Sequence, residues 1–169
     1  DATYLSFTFN AGTPTWKVYY NVNGTPDSLT LNSTDSIRFS PNTTTVYTVD
    51  SIRDINCSSL IIDAAIITVH PLPEVTVSGG GSICNDGTQD TIIINTTSGT
   101  PTFNVEYSVG IDSRLASNIG YQHLIFTNEA GIYSVTKATD SKGCIAKSIS
   151  GNATVNINPM PEANIIAYP

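Results

Sequence analysis

Gly12-Thr13-Pro14-Thr15-Trp16 returns 87 residues later as Gly99-Thr100-Pro101-Thr102-Phe103, and that echo decides how the chain is read. The likeness spreads outward from it. Ile37-Arg38-Phe39-Ser40 answers to Leu124-Ile125-Phe126-Thr127 at the same interval, and Val46-Tyr47-Thr48-Val49 to Ile132-Tyr133-Ser134-Val135 at one residue less. Asp54-Ile55-Asn56-Cys57 finds its match in Asp140-Ser141-Lys142-Gly143-Cys144. Each copy closes on an apolar-polar run and a proline pair, Ile67-Thr68-Val69-His70-Pro71-Leu72-Pro73 and Val155-Asn156-Ile157-Asn158-Pro159-Met160-Pro161. A fixed interval of this length marks tandem domains.

Composition says what kind of domain. Thr, Ser, Asn, Val and Ile dominate, which favours strands and turns, and no run shows the 3.6-residue apolar period of a helix. Short strands are expected over residues 4–9, 15–22, 28–31, 36–40, 46–53 and 65–70 in the first copy. The second copy gives 74–78, 91–96, 102–109, 122–127, 131–139 and 153–158. Turn signals every 8–12 residues between them predict an all-β fold of two sandwich domains. Residues 1–73 form a repeat that lacks its first strand, and residues 74–161 form a complete repeat. Residues 162–169 match the start of the second copy, so they read as the first strand of a following repeat or as a donor strand. The proline pairs read as short stiff joints.

Trp16, Val18 and Tyr20 share one face by period 2, as do Phe103, Val105 and Tyr107. The replacement of Trp16 by Phe103 argues for filling a core. The 7 Lys and Arg residues are scattered against 14 Asp and Glu, for a net charge of −7, which disfavours nucleic acid as a partner. No stretch is apolar for long enough to span a bilayer, and no signal peptide is read in these residues; the start at Asp1 without Met reads as a processed or excerpted chain.

Three cysteines divide between the copies. Cys144 maps onto Cys57, whereas the counterpart of Cys84 falls about three residues before Asp1. A Cys84–Cys144 disulfide is expected on this reading, with the partner of Cys57 upstream of residue 1. Such bridges belong to oxidising compartments and place the chain outside the cell. Three reduced thiols are the alternative.

Chemistry-bearing patterns are sparse. His70 and His123 have no histidine counterpart in the other copy, so no catalytic residue is assigned and no enzyme is expected. Gly79-Gly80-Gly81 precedes no helix and carries no lysine, which excludes a phosphate loop. No cofactor is expected; Ca²⁺ is the one ion with candidate ligands, Asp50, Asp54, Asp86, Asp90 and Asp140, against the plainer reading of solvated acidic loops. Tyr19, Tyr47, Tyr121 and Tyr133 are the candidates for a sugar-stacking row, should the chain be a carbohydrate-binding module.

The run Gly-Ile-Tyr-Ser-Val-Thr from Gly131, Thr-Asp-Ser-Lys-Gly-Cys from Thr139 and Ala-Thr-Val-Asn-Ile-Asn-Pro-Met-Pro from Ala153 resembles a known family. It is similar to the immunoglobulin-like tandem repeats of very large surface and secreted proteins of Bacteroidetes, including gliding-motility adhesins and cargo of the type IX secretion system. Val77-Ser78-Gly79-Gly80-Gly81-Ser82-Ile83-Cys84 also fits the start of such a repeat. Asp54-Ile55-Asn56-Cys57 departs from it in lacking the turn glycine. The resemblance implies stalk or spacer modules at the cell surface, with neighbouring repeats, surface glycans or other surface proteins as partners and no membrane insertion. A pattern resembling the O-glycosylation signal of these bacteria, Asp then Ser or Thr then an apolar residue, marks Ser28, Ser36, Ser51 and Thr91. Asn32-Ser33-Thr34 and Asn95-Thr96-Thr97 are Asn-x-Ser/Thr triplets of little weight. The expected function is a structural or adhesive module of a stalk or fibre, with a filament subunit built by strand donation as the second reading.

Overall fold

A computed structural model describes residues 3–33 and 35–167. They form strands and turns, with no helix among them. The chain divides into two compact units, Asp1–Val69 and His70–Pro169. The division falls ahead of the proline pair rather than after it. Pro73 is fully buried in the second unit, and its carbonyl accepts the Lys147 N–H at 2.8 Å.

The first unit holds β1 (Thr3–Phe7), β2 (Trp16–Val22), β3 (Thr25–Leu31), β4 (Asp35–Phe39), β5 (Thr45–Arg53) and β6 (Ser58–Ile67). β1 and β4 make a two-stranded layer, and the other layer runs β3-β2-β5-β6. Trp16, Val18 and Tyr20 face inward from β2 as their alternation requires, joined by Leu31 and Tyr47. Phe9 stacks flat on Trp16 with ring centroids 4.4 Å apart. Asn23-Gly24, both at positive φ, close the β2–β3 hairpin, the turn chemistry that a tight right-twisted hairpin demands.

The second unit holds β7 (Glu74–Cys84), β8 (Asp90–Thr96), β9 (Phe103–Val109), β10 (Asp112–Ile119), β11 (Gln122–Thr127), β12 (Gly131–Asp140), β13 (Ser148–Ser150) and β14 (Ala153–Asn158). Its strand path is continuous, β10-β9-β12-β14-β7-β8-β11, with β13 pairing β7. Both halves of the path face one core, built on Val75, Val77, Ile92, Ile94, Phe103, Val105, Tyr133 and Val155 among others.

β7 belongs to both halves. Val75 to Gly79 pair antiparallel with β8, and Gly80 to Cys84 pair parallel with β14. The change of partner falls on Gly79 and Gly80, at φ 94° and 77°. A Cβ at Gly79 would sit 2.3 Å from the Thr91 carbonyl oxygen, and one at Gly80 2.5 Å from that of Thr154. The glycine run expected to end the strand is instead its crossing point between layers.

The two units correspond closely, with one displacement. Tyr47 pairs with Ala65 as Tyr133 pairs with Ala153, and Tyr20 with Val49 as Tyr107 with Val135. In β4, however, Ile37 and Phe39 face inward, whereas in β11 the inward residues are Ile125 and Thr127. The echo of Phe39 in Phe126 is therefore off by one residue, and Phe126 is 62% exposed. In a strand one step reverses the face. The buried partner of Phe39 is Thr127, so the Phe39–Tyr47 ring contact at 4.8 Å becomes a Thr127–Tyr133 hydroxyl contact at 2.7 Å.

Candidate functional site

Two aspartates do the same job in the two units. Asp140 Oδ2 accepts the Thr100 N–H at 2.9 Å, and its Oδ1 accepts those of Lys142 and Cys144 at 2.9 and 2.8 Å. Asp54 Oδ2 accepts the Thr13 N–H at 2.8 Å, and its Oδ1 those of Asn56 and Cys57 at 2.7 and 2.6 Å. Each carboxylate ties the Gly-Thr-Pro-Thr loop to the turn that follows the long strand. Burial raises the Asp140 carboxyl, but the N–H groups of Thr100, Cys144 and Lys142 outweigh it and hold it below the usual range. Asp54 is lowered by the N–H groups of Thr13, Cys57 and Asn56.

That geometry bears on the calcium candidates. Three N–H donors take three of the roughly four lone-pair sites of each of these two carboxylates. Asp86 Oδ1 is likewise taken by the N–H and hydroxyl of Thr88, and Asp50 Oδ2 by the Asn21 amide at 2.6 Å. Asp90 Oδ1 accepts the N–H of Thr91. No group of three or more His, Cys, Asp or Glu residues suited to a metal occurs among the described residues.

The expected Cys84–Cys144 disulfide is not made: all three cysteines are free thiols. The topology explains why. Cys84 closes the far end of β7, whereas the Cys144 turn lies beside its beginning, where Lys147 bonds Pro73. The 11 residues of β7 separate the two ends by roughly 30 Å, against the roughly 7 Å that a disulfide can bridge. Cys57 is exposed in the equivalent turn of the first unit, and its expected partner lies outside the described residues.

Of the four candidate tyrosines for a sugar-stacking row, Tyr47 and Tyr133 are core residues, Tyr121 tilts over Phe103 at 5.5 Å, and Tyr19 lies under the Lys17 ammonium. His123 is half-buried in β11, and His70 stands at the start of the second unit. Among the marked hydroxyls, Ser28 and Ser36 are exposed on β3 and β4, while Ser51 and Thr91 are half-buried in β5 and β8. In the Asn32-Ser33-Thr34 triplet, Thr34 lies outside the described residues, as do Tyr168 and Pro169 at the end of the 162–169 segment.

The feature that sequence reading did not reach is an apolar cleft of about 120 Å³ in the first unit. Leu5, Ser6 and Phe7 of β1 line one side, Asp63, Ala64 and Ala65 of β6 the other, with Tyr20, Phe39, Tyr47 and Val49 beneath. In the second unit the corresponding strands, β8 and β14, hold β7 between them, and Val75 and Val77 fill the interior there. The cleft lies at the position that β7 takes in the second unit. β6 beside it carries Leu60, Ile62 and Ile66 in full view of solvent, an edge natural sheets usually cover.

Comparison with protein-family models, with curated proteins and with solved structures returns no match.

Proposed function

We propose that the chain is a pair of tandem immunoglobulin-like sandwiches, joined at the Pro71-Leu72-Pro73 segment, in the stalk or fibre of a larger surface protein. The observation that carries this reading is what the two units repeat. They share strand order, strand pairing and the aspartate-held loop at Thr13 and Thr100, all of it scaffold. The strand path of the second unit supports an immunoglobulin-like assignment. One strand crosses between layers, two further strands pair with its first half, and four extend from its second half. What differs between the units is the set of residues that chemistry would need, His70 and His123 among them. Such a module serves position: it holds a neighbouring domain at a distance, with a share in adhesion through exposed loops.

The extracellular placement rests on the family resemblance and on the Ser, Thr and Asn-rich surface, since the free thiols lend it no support. O-linked glycans at Ser28 and Ser36 fit the same setting. Both hydroxyls lie on exposed strand faces, where sugars would hinder edge pairing.

The test is the native polypeptide from its natural source, followed by protease shaving of intact cells. A surface-exposed species many times larger than 18.0 kDa is expected. An intracellular species near 18.0 kDa would overturn the reading.

A further inference from the structure

We infer that the free edge of β11 pairs with β11 of a second copy of this chain, antiparallel about a twofold axis beside Leu124, so that one sheet runs through both copies. The inference rests on the second unit alone and adds a lateral partner to the stalk reading without depending on it.

β11 is the unguarded edge of its unit. β10, at the other end of the strand path, carries Asp112 and Arg114 and breaks register between Ala116 and Ile119. β13 is three residues long. Charge, irregular register and shortness are the usual devices that keep a sheet edge from pairing. Gln122–Thr127 has none of them: it pairs with β8 without a break and holds no Lys, Arg, Asp, Glu or Pro. Its outward face is apolar as well, with Leu124 41% and Phe126 62% exposed beside half-buried Ile93. In the first unit the same positions on β4 are Ser36 and Arg38, and Ser6 stands in the place of Ile93. The one-residue step that turns Phe126 outward thus builds an apolar edge that the first unit lacks.

The backbone sets the register. The Tyr121 carbonyl accepts the Thr96 N–H at 2.7 Å, and the ladder continues as Gln122 on Asn95 and His123 on Ile94. Hydrogen-bonded pairs alternate along such a ladder, so His123, Ile125 and Thr127 turn N–H and C=O toward β8, while Gln122, Leu124 and Phe126 turn theirs to the open side. No strand lies on that side among the described residues. A dyad beside Leu124 sets Leu124 against its own copy and Gln122 against Phe126, which engages all three open residues of each strand in about six ladder bonds. Moving the axis to Ile125 puts Gln122 opposite Asn128, beyond the strand, and makes fewer.

Charge selects the partner. Each copy carries −7, so two copies repel wherever their acidic side chains meet. β11 itself is neutral, and Glu129, the nearest acid along the chain, is tied to Arg114 at 2.6 Å. A second copy brings a matching neutral strand with its apolar face on the same side of the joined sheet. The contact is isologous and closes, so the product is a dimer rather than a growing chain.

The experiment is sedimentation equilibrium of the 169-residue chain over a concentration series. Wild type should reach a dimer and go no further. Leu124→Lys and Phe126→Lys, both at exposed positions that leave the fold intact, should each weaken dimerisation more than about tenfold. Leu115→Lys, at a residue 61% exposed on β10, should leave it unchanged. A chain carrying Cys57→Ser and Cys84→Ser tests the register. With Leu124→Cys added it should form a disulfide dimer under mild oxidation, since the paired Cα atoms lie about 5.5 Å apart. With Phe126→Cys instead it should not, because the two copies of that residue stand about 13 Å apart along the strands. A wild-type chain still monomeric at about 1 mM overturns the inference and leaves the edge to a strand of another protein. Equal loss of dimer in Leu115→Lys and Leu124→Lys overturns it too, as does cross-linking through Phe126→Cys as fast as through Leu124→Cys. The stalk reading is decided separately, by native mass and surface exposure.

Discussion

Asp140 Oδ2 accepts the N–H of Thr100 at 2.9 Å, binding a turn to a loop 40 residues earlier in the chain. With Oδ1 holding Lys142 and Cys144 as well, one 95% buried side chain satisfies three backbone donors. Asp140→Ala should therefore destabilise the second unit by about 3 kcal/mol, the cost of losing three charge-assisted bonds to part-buried donors. Asp54→Ala should cost less, because that site is more open to water. Urea denaturation checks both, and an unchanged midpoint for Asp140→Ala would show that water replaces the carboxylate.

The same groups set an acid limit. Asp140 and Asp54 titrate below 3.8, the value of a free aspartate. Between the lowered value and 3.8 the unfolded chain binds protons that the folded chain does not. Their stabilisation is thus complete above the unfolded value and drains away as pH falls through the folded one. The gap in urea midpoint between wild type and Asp140→Asn should be widest at neutral pH and close in strong acid. A gap that stays constant would reject the linkage.

Tyr133 and Tyr47 occupy the same place but should answer differently to loss of a hydroxyl. Tyr133 donates to the Glu129 carbonyl and meets Thr127 Oγ1, which accepts the Glu129 N–H. Tyr47 meets Phe39 by its ring. Tyr133→Phe should cost about 1–2 kcal/mol and Tyr47→Phe a few tenths at most. Equal effects by thermal melting would mean the hydroxyl network adds nothing.

The crossing glycines invite a graded test. Gly79→Ala and Gly80→Ala place a methyl against the Thr91 and Thr154 carbonyls at positive φ, and each should cost about 3 kcal/mol or more. Gly81→Ala meets only Asp90 Oδ2 at 3.3 Å and should be mild. If all three behave alike in denaturant, β7 does not change layers at Gly79 and Gly80.

Thiol chemistry separates the cysteines. Cys144 is half-buried, and its thiol is pushed up by burial, then by the Asp140 charge and hydrogen bond. Since the thiolate is the nucleophile, a disulfide reagent should modify exposed Cys57 and Cys84 first and Cys144 last. Reductant should leave the melting temperature unchanged. A drop on reduction would restore the Cys84–Cys144 bridge and overturn the β7 topology.

Strands whose apolar residues alternate were legible in the sequence, β2, β9, β11, β12 and β14 among them. β10 was not, because Asp112–Ile119 offers no clean alternation and takes its place through pairing with β9. The full reach of β7 was hidden by three glycines that read as a turn. Phe39 and Phe126 match in sequence, yet a single-residue step sends one inward and the other to solvent. In sequence the aspartates stand out as cation ligands, since the N–H groups that occupy them at Thr13 and Thr100 come from about 40 residues away. The cleft of the first unit, at the place that β7 takes in the second, has no signature in the sequence.

Parallel pairing of β7 with β14 sets the first and last long strands of the second unit side by side. Tension applied to the two ends of that unit loads their hydrogen bonds in shear, all together, instead of peeling them one at a time. In the first unit β6 pairs only with β5 among the described strands, and antiparallel, so it has no such clamp. Under load the first unit should therefore yield before the second.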